Sequence, residues 1–229
     1  MRGKNHLKAL SKIDRSKRYT VNDGFSLLKD SSYVKYDESV EVHFNLNIDP
    51  RHADQQLRGA ISLPKGIGKE KIVAVVVKNE EVDRYKSSGA DHVGGTDIIE
   101  KIQSGWIDFD VLISSPGMMS QVGKLGRILG AKGLMPNPKL GTVTQDIDVA
   151  VKAFKAGKSE YRNDKYGILH FVLGKLSFNL EDLVENFEMV YHTVLKIKPS
   201  KAKGTYIKSI SLSSSNGVGI FLDPLNLSF

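Results

Sequence analysis

Strict alternation of apolar and polar residues marks two segments of the chain, at residues 40–48 and 206–214. In the first segment the apolar positions are Val40, Val42, Phe44, Leu46 and Ile48. A period of two is typical of a strand that buries one face and leaves the other open to solvent or to a partner. The two segments therefore predict a sheet with one polar face, assembled from both ends of the chain.

A different pattern runs through the middle of the chain. Residues 72–77 form a continuous aliphatic run and residues 111–114 form a second apolar run, as expected for strands that are buried on both faces. Segments with helical character, at residues 80–89, 97–104 and 146–156, follow or separate these runs. Strands that alternate with helices at this spacing predict a parallel α/β layer of doubly wound type.

The terminal parts of the chain show further signals. Residues 7–13 have helical spacing, and Thr20 is a suitable N-cap for the next helix. Residues 160–173 are interpreted as a hairpin, and residues 180–195 as a long amphipathic helix. The fold class predicted from these patterns is mixed, α/β and α+β, in two domains.

We predict that the outer domain is a split antiparallel α+β domain, formed by residues 1–66 plus 159–229. The second domain, residues 67–158, would be an α/β domain inserted into the first. The chain would then cross between the domains twice, and these two crossings predict a hinge near residues 64–68 and 157–160.

Composition narrows the classes of function. The chain has 229 residues and no cysteine, which excludes a disulfide scaffold and a thiolate metal site and fits a reducing cytosol. The aliphatic run at residues 72–77 is far shorter than the roughly 20 residues that span a bilayer, so we expect no membrane association.

The formal net charge of +7 is unevenly distributed. Residues 1–18 hold seven basic side chains and one acidic side chain, and residues 117–144 hold four basic side chains and no acidic one. Concentrated positive charge is typical of proteins that bind nucleic acid. A solvated surface or an amphipathic targeting helix would have the same composition, so charge alone leaves the three interpretations open.

Motifs for catalysis are missing from the sequence. The histidines are far apart and form no zinc-binding pattern, and residues 117–124 depart from a phosphate-binding loop in glycine spacing. No Gly-x-Ser-x-Gly element is present. We therefore expect no metal and no cofactor, and a nucleotide-binding enzyme built on the inserted α/β domain stays open only as a fold-level analogy.

Binding chemistry is better represented. Tyr36 and Ser39 precede or open the first alternating strand, and the Ser/Asn/Gly-rich residues 213–219 close the last one. Hydroxyls, an amide and an aromatic ring can bind ribose, phosphate and bases, although a flexible loop and an aromatic at the core edge are the structural alternatives. Glu41 repels phosphate, so it would bind a ribose hydroxyl or a base amine, or be a solvated strand residue.

The run GKLGRILGAKGLMPNP at residues 123–138 resembles a signature of the ribosomal protein L1 family, in its bacterial form. The resemblance extends along the chain through YDESVEVH (36–43), GWIDFD (105–110), RNDK (162–165) and KGT (203–205). It implies a split rRNA-binding domain with an inserted Rossmann-like domain, joined by a hinge, and no catalysis.

The resemblance also implies partners and sites. Members bind 23S rRNA in the mobile stalk of the 50S subunit, assist release of deacylated tRNA from the exit site, and repress their own operon by binding its mRNA. The chain is then expected to be cytoplasmic, on the ribosome, and a monomer when free. The implied rRNA- and mRNA-binding residues are Lys35, Tyr36, Ser39, Glu41, Asp164, Lys165, Ser215, Asn216 and Gly217.

Three of these residues depart from the family pattern. Tyr36 stands in place of a common Phe, Ser215 in place of Thr, and Asn216 in place of Met. The signature itself lies in the inserted domain, where its Gly-rich basic loop either contacts tRNA or a second RNA surface, or is a compact structural loop. The candidate contacts there are Lys124, Arg127 and Lys132. A nonspecific basic RNA chaperone is the remaining alternative.

Overall fold

The computed structural model of the chain describes residues 3–224, which contain eight α-helices and nine β-strands. The helices are α1 (Lys4–Leu10), α2 (Val21–Ser31), α3 (Val82–Tyr85), α4 (Thr96–Gln103), α5 (Met119–Val122), α6 (Gly126–Lys132), α7 (Ile147–Lys155) and α8 (Leu180–Lys196). The strands are β1 (Ser39–Leu46), β2 (Arg58–Ser62), β3 (Val73–Val76), β4 (His92–Gly94), β5 (Val111–Ser114), β6 (Lys158–Arg162), β7 (Ile168–Lys175), β8 (Ile207–Ser214) and β9 (Ile220–Leu222).

The chain divides into two compact units. One, which we call the split unit, consists of Met1–Gly68 and Ser159–Phe229, and the other, the central unit, consists of Lys69–Lys158. Among the described residues, no helix combines the length and the apolar character that a bilayer-spanning segment needs.

The split unit contains a four-stranded antiparallel sheet in the order β7-β1-β8-β9. Its apolar face is covered by α2 and α8, where the Phe187 ring lies 6.1 Å from that of Phe25 and 6.2 Å from that of Phe44. Along β1, buried and half-buried residues alternate without a break, so the predicted one-sided strand is confirmed. The opposite face of β1 carries Ser39, Glu41, His43 and Asn45.

The central unit contains a parallel sheet in the order β4-β3-β5, with helices on both faces. One apolar cluster joins α4 and α6 to the sheet, and a second joins α3 and α7 to its other side. All four residues of β3 and all four of β5 are buried, because neither face of these strands meets solvent. The prediction of strands buried on both faces is confirmed.

The hairpin predicted at residues 160–173 is wrong. β6 pairs with β2, whereas β7 pairs with β1, and one isolated bridge links Asn163 to Leu169 across the turn. The Asp164 carboxylate accepts hydrogen bonds from the Tyr166 and Ile168 amides, both at 2.8 Å. Together with the hydrogen bond from the Asp164 amide to the Ile168 carbonyl at 2.9 Å, these bonds close the turn through which the chain passes from one sheet to the other.

Two further differences are a predicted helix that is divided and a strand that the sequence did not predict. The helix predicted over residues 80–89 is divided into two 3-10 turns and the short α3 between them, and it ends at Gly89 with a left-handed φ of 85°. β9 was not predicted from the sequence. Three residues are too few to show a periodic pattern, and this strand is defined by its pairing with β8.

Candidate nucleic-acid interface

The entrance of β1 lies directly beside the loop that follows β8. β1 and β8 are antiparallel, with Val40 opposite Ser214, so residues 174 positions apart in sequence become neighbours. The Ser215 amide donates to the Ser39 carbonyl at 3.1 Å, and the Ser39 amide donates to Ser215 Oγ at 3.3 Å. Two of the predicted binding segments therefore form one continuous surface.

A buried carboxylate organises this junction. Glu38 is only 1% exposed, and its carboxylate accepts hydrogen bonds from Ser32 Oγ and Ser214 Oγ, each at 3.0 Å. It also accepts from the Asn216 amide at 2.7 Å. The negative charge of Glu38 is thus used inside the protein to fix the loop, and it is not presented to a ligand.

The sequence interpretation did not identify Glu38, although a signal for it existed. Glu38 has the same parity as Val40 and Val42, so continuing the alternation towards the N-terminus places it on the buried face. A buried carboxylate needs several donors to offset the free energy of its desolvation. The hydroxyls of Ser32 and Ser214 and the Asn216 amide supply them.

Asn216 is held by contacts to two tyrosines. Its carbonyl accepts a hydrogen bond from the Tyr33 hydroxyl at 2.6 Å, and its side-chain amide donates to the Tyr36 hydroxyl. Tyr36 remains 55% exposed, so its ring is open for stacking and is not an aromatic of the core edge. At Gly217, an added Cβ would overlap Ser214 Oγ, so a larger residue there must displace the hydroxyl that donates to Glu38.

Glu41 and the turn before β7 belong to the exposed face of the same sheet. Glu41 is half-buried, opposite Ser213 on β8 and Val172 on β7. Burial alone would raise the pKa of Asp164, but hydrogen bonds from the Ile168 and Tyr166 amides and the neighbouring His170 outweigh it and lower that pKa. Asp164 is therefore an anion at neutral pH.

Cationic side chains surround these acceptors. Lys35 and Lys165 are exposed, and the Lys165 ammonium lies 5.2 Å from the centre of the Tyr166 ring. Lys175 Nζ donates to Ser39 Oγ at 3.0 Å. The interface thus combines hydroxyl and carboxylate acceptors with ammonium groups, a mixture suited to ribose and phosphate together.

The basic N-terminal arm packs on the split unit near the same loop. Its helix, α1, buries Ala9, and the ring of His6 meets the edge of Tyr33, the tyrosine that holds Asn216. Lys4, Lys8 and Lys12 are exposed, whereas Arg2, which belongs to the predicted arm, lies outside the described residues. The arm therefore adds positive charge close to the predicted contacts.

The other candidate cations belong to the central unit. Lys124 lies in the 3-10 turn Gly123–Leu125, and Arg127 and Lys132 lie in α6. All three side chains are exposed, whereas Leu125 and Leu129 between them are buried. The expectation of a Gly-rich loop is wrong for residues 123–132, which are helical, with Leu125 and Leu129 buried four residues apart in the cluster that includes strands of the parallel sheet. Residues 133–137, in the second part of the signature, belong to no helix or strand.

Within residues 3–224, no group of three or more histidine, aspartate or glutamate side chains is arranged to hold a metal ion. The polar groups of the interface are satisfied by one another, in networks centred on the carboxylates of Glu38 and Asp164. Such an arrangement forms a shaped surface of donors and acceptors for a ligand that is itself polar.

Comparison with known proteins agrees with the resemblance seen in the sequence. The model of the ribosomal protein L1p/L10e family matches residues 28–218. The chain is 51% identical to large ribosomal subunit protein uL1 of Lactobacillus johnsonii and of Lactobacillus gasseri, and 50% identical to that of Lactobacillus acidophilus. Each similarity covers 225 residues, or 98% of both chains. The chain therefore belongs to the ribosomal protein L1p/L10e family.

Proposed function

We propose that this chain is a structural, non-catalytic component of the large ribosomal subunit that binds the stalk region of 23S rRNA through its split unit. The observation that carries the proposal is the convergence of separate segments on one surface. Tyr36, Ser39 and Glu41 come from the entrance and face of β1, Ser215 to Gly217 follow β8, and Asp164 precedes β7. The name of the relatives, large ribosomal subunit protein, supports the assignment.

Each group has a role suited to RNA. The exposed ring of Tyr36 stacks on a base, and the Ser39 and Ser215 hydroxyls bind ribose or phosphate oxygens. Glu41 and Asp164 repel phosphate, so they accept hydrogen bonds from 2′-hydroxyls or base amines. Because DNA lacks the 2′-hydroxyl, these carboxylates favour RNA over DNA. Exposed lysines of the surface and of α1 neutralise the phosphates.

The same surface would bind the mRNA of the chain's own operon, if that mRNA presents a fold like the stalk, and so repress its translation. The second contact, with tRNA leaving the exit site, belongs to the central unit, which we propose is an inserted Rossmann-like domain. Its exposed Lys124, Arg127 and Lys132 are the cations for that contact. The protein would act as a monomer when free, on cytoplasmic ribosomes.

The two crossings between the units would act as a hinge near residues 64–68 and 157–160. The buried Asn186 supports this proposal from the side of the split unit, because its side chain accepts from the Lys65 amide at 3.1 Å and donates to the Gly66 carbonyl at 3.0 Å. Gly66 and Gly157 have left-handed φ values of 66° and 102°, a conformation that glycine adopts without strain. The first crossing thus leaves the split unit from an anchored point.

The proposal is tested by fluorescence-anisotropy titration of the full chain with a stalk rRNA fragment and a scrambled hairpin, at low and moderate salt. We expect a preference of about a thousandfold for the stalk fragment, by analogy with specific protein–DNA complexes. Lys35→Ala with Lys165→Ala should lower the log–log salt slope by about 0.7–0.9 for each phosphate that these lysines neutralise in the wild type. The matched control, Lys101→Ala with Lys152→Ala in the central unit, should leave the slope unchanged.

Equal binding to both RNAs that is lost as salt rises would contradict the proposal and favour a nonspecific RNA chaperone. Saturable binding of ATP or NAD, with no RNA preference, would instead favour a nucleotide-binding enzyme.

A further inference from the structure

The polar face of the split unit's sheet contains a hydrogen-bonded histidine pair that none of the predicted contacts includes. His43 on β1 and His170 on β7 are direct cross-strand neighbours, and their Nδ1 atoms are 2.8 Å apart. On the other side, His43 Nε2 lies 3.0 Å from Ser213 Oγ on β8. His170 Nε2 lies 3.6 Å from the Asp164 carboxylate. Four side chains thus form a continuous row across three strands.

This row lies between the proposed RNA contacts. At one end, Asp164 belongs to the proposed site, and at the other end Ser213 lies opposite Glu41. The flanking charged groups are Glu41 on β1, Lys175 at the end of β7, Lys208 near the start of β8, and Lys165 in the turn. Opposite the pair, β8 presents the uncharged side chains of Ser209, Ser211 and Ser213.

The short distance between the two Nδ1 atoms restricts the protonation of the pair. One ring must donate a proton and the other must accept it, so both Nδ1 atoms cannot be protonated at once. The two rings differ in their surroundings. His170 is half-exposed and lies beside Asp164. The pKa of His43 is lowered, mainly by burial and secondly by repulsion from His170. We place an added proton on His170 by geometry, because its Nε2 faces the Asp164 carboxylate, whereas His43 Nε2 faces the Ser213 hydroxyl.

The added proton changes what the row presents to a ligand. In the neutral row His170 Nε2–H faces Asp164, His43 Nδ1–H donates to His170 Nδ1, and His43 Nε2 accepts from the Ser213 hydroxyl. After one proton is added, His170 carries protons on both nitrogens and donates from Nδ1 to His43 Nδ1, and His43 is the Nε2–H tautomer. His43 then donates to Ser213 Oγ, and the hydroxyl hydrogen of Ser213 becomes free to point to a ligand. The face gains one positive charge from a proton supplied by water and one free O–H donor, and both favour a phosphate.

We infer that His43 and His170 form an additional phosphate-binding element of the RNA site, whose protonation increases when RNA binds. The inference rests on the proposed function, because it places an RNA phosphate over the row of Asp164, His170, His43 and Ser213, where the charge of protonated His170 offsets the repulsion from Asp164. It adds to that function a specific chemistry, in which the affinity for RNA is linked to pH through this pair.

The test is the affinity of the full chain for the stalk rRNA fragment between pH 8 and pH 6. We expect the wild-type affinity to increase by about tenfold over this range, which corresponds to a pKa about one unit higher in the complex. His170→Gln keeps a polar side chain but cannot take the proton, and its affinity should change by less than about twofold. Calorimetry in two buffers of different ionisation enthalpy should show uptake of up to about half a proton by the wild type, the maximum that a pKa one unit higher in the complex allows, and none by the variant.

His192→Gln is the matched control, because His192 is an exposed histidine of the same unit that also lies near a carboxylate, Glu188, but belongs to α8. It should retain the full pH dependence. Equal pH dependence in wild type and His170→Gln would overturn the inference, because the titrating group would then belong to the RNA or to another residue. Stalk-specific binding with a flat pH profile would overturn this inference but not the proposed function. A lack of stalk preference at every pH would instead contradict the proposed function.

Discussion

The four-stranded sheet of the split unit and the three-stranded sheet of the central unit differ in whether one face is open to a ligand. In the split unit, β1 alternates between buried and half-buried residues, so one face packs on helices and the other carries serine, glutamate, histidine and asparagine. In the central unit, β3 and β5 are buried at every position. A sheet that is covered on both sides has no face for a ligand, and its recognition groups must come from helices, loops and strand ends.

The difference explains where the candidate contacts lie in each unit. Contacts of the split unit follow strand register: Glu41 is opposite Ser213, and His43 is opposite both Ser211 and His170. Contacts of the central unit are exposed cations of a helical segment, backed by buried leucines. We therefore expect shape- and hydrogen-bond-specific recognition in the first unit and mainly electrostatic recognition in the second.

The largest expected effect comes from removing the buried carboxylate of the split unit. Glu38→Ala leaves the hydroxyl of Ser214 and the amide of Asn216 without their acceptor. We expect the free energy of unfolding to fall by about 3 kcal/mol, because each buried polar group without a partner costs about 1–3 kcal/mol. Because the loop is then no longer held in place, the affinity for the stalk RNA should fall by roughly a hundredfold. Urea denaturation and anisotropy titration measure the two quantities.

Glu38→Gln keeps the shape and one acceptor oxygen, so it should show intermediate losses and remain measurable if the alanine variant does not fold. Glu80→Ala, which removes an exposed carboxylate of the central unit, is the control. If Glu38→Ala and Glu80→Ala reduce RNA affinity equally, the buried carboxylate does not organise the interface.

The second effect separates the RNA surfaces of the two units. Replacing Lys124, Arg127 and Lys132 together by alanine should weaken binding to tRNA and reduce its log–log salt slope by about 0.7–0.9 for each phosphate that is no longer neutralised. Binding to the stalk fragment should not change, because the contacts that we propose for it come from the split unit. Unchanged exit-site tRNA kinetics in ribosomes that carry the triple variant would argue against a tRNA role for the central unit.

The smallest effect compares one glycine from each unit. In Gly217→Ala the new Cβ overlaps Ser214 Oγ, so the affinity for the stalk RNA should fall by about tenfold, the equivalent of about 1.4 kcal/mol. Gly130 lies in α6 with no atom within 4 Å of an added Cβ, so Gly130→Ala should raise the free energy of unfolding by about 1 kcal/mol. Its affinity for RNA should not change. Thermal denaturation measures the stability of both variants, and titration measures their affinity for RNA. A loss of affinity in Gly130→Ala with none in Gly217→Ala would contradict this comparison.

Much of the local structure could be predicted from the sequence because it depends on periodicity. The alternation at residues 40–48 predicted one buried face of β1, and the continuous apolar runs predicted β3 and β5. Thr20 caps α2 as expected, accepting from the Asp23 amide at 3.2 Å. The hairpin at residues 160–173 failed because neighbours in sequence need not pair, and the turn at Asp164 sends the strands into different sheets.

The sequence by itself determined which faces of the strands are apolar, where positive charge concentrates and which family signature the chain carries. Tertiary structure alone decided that β6 pairs with β2, that the Glu38 carboxylate accepts a hydrogen bond from the Asn216 amide, and that His43 and His170 are hydrogen-bonded. The physical reason is the separation along the sequence over which each interaction acts. Periodicity and capping act over a few residues, whereas each of these three contacts joins positions about 100 or more residues apart, and it forms only when the strands have found their partners.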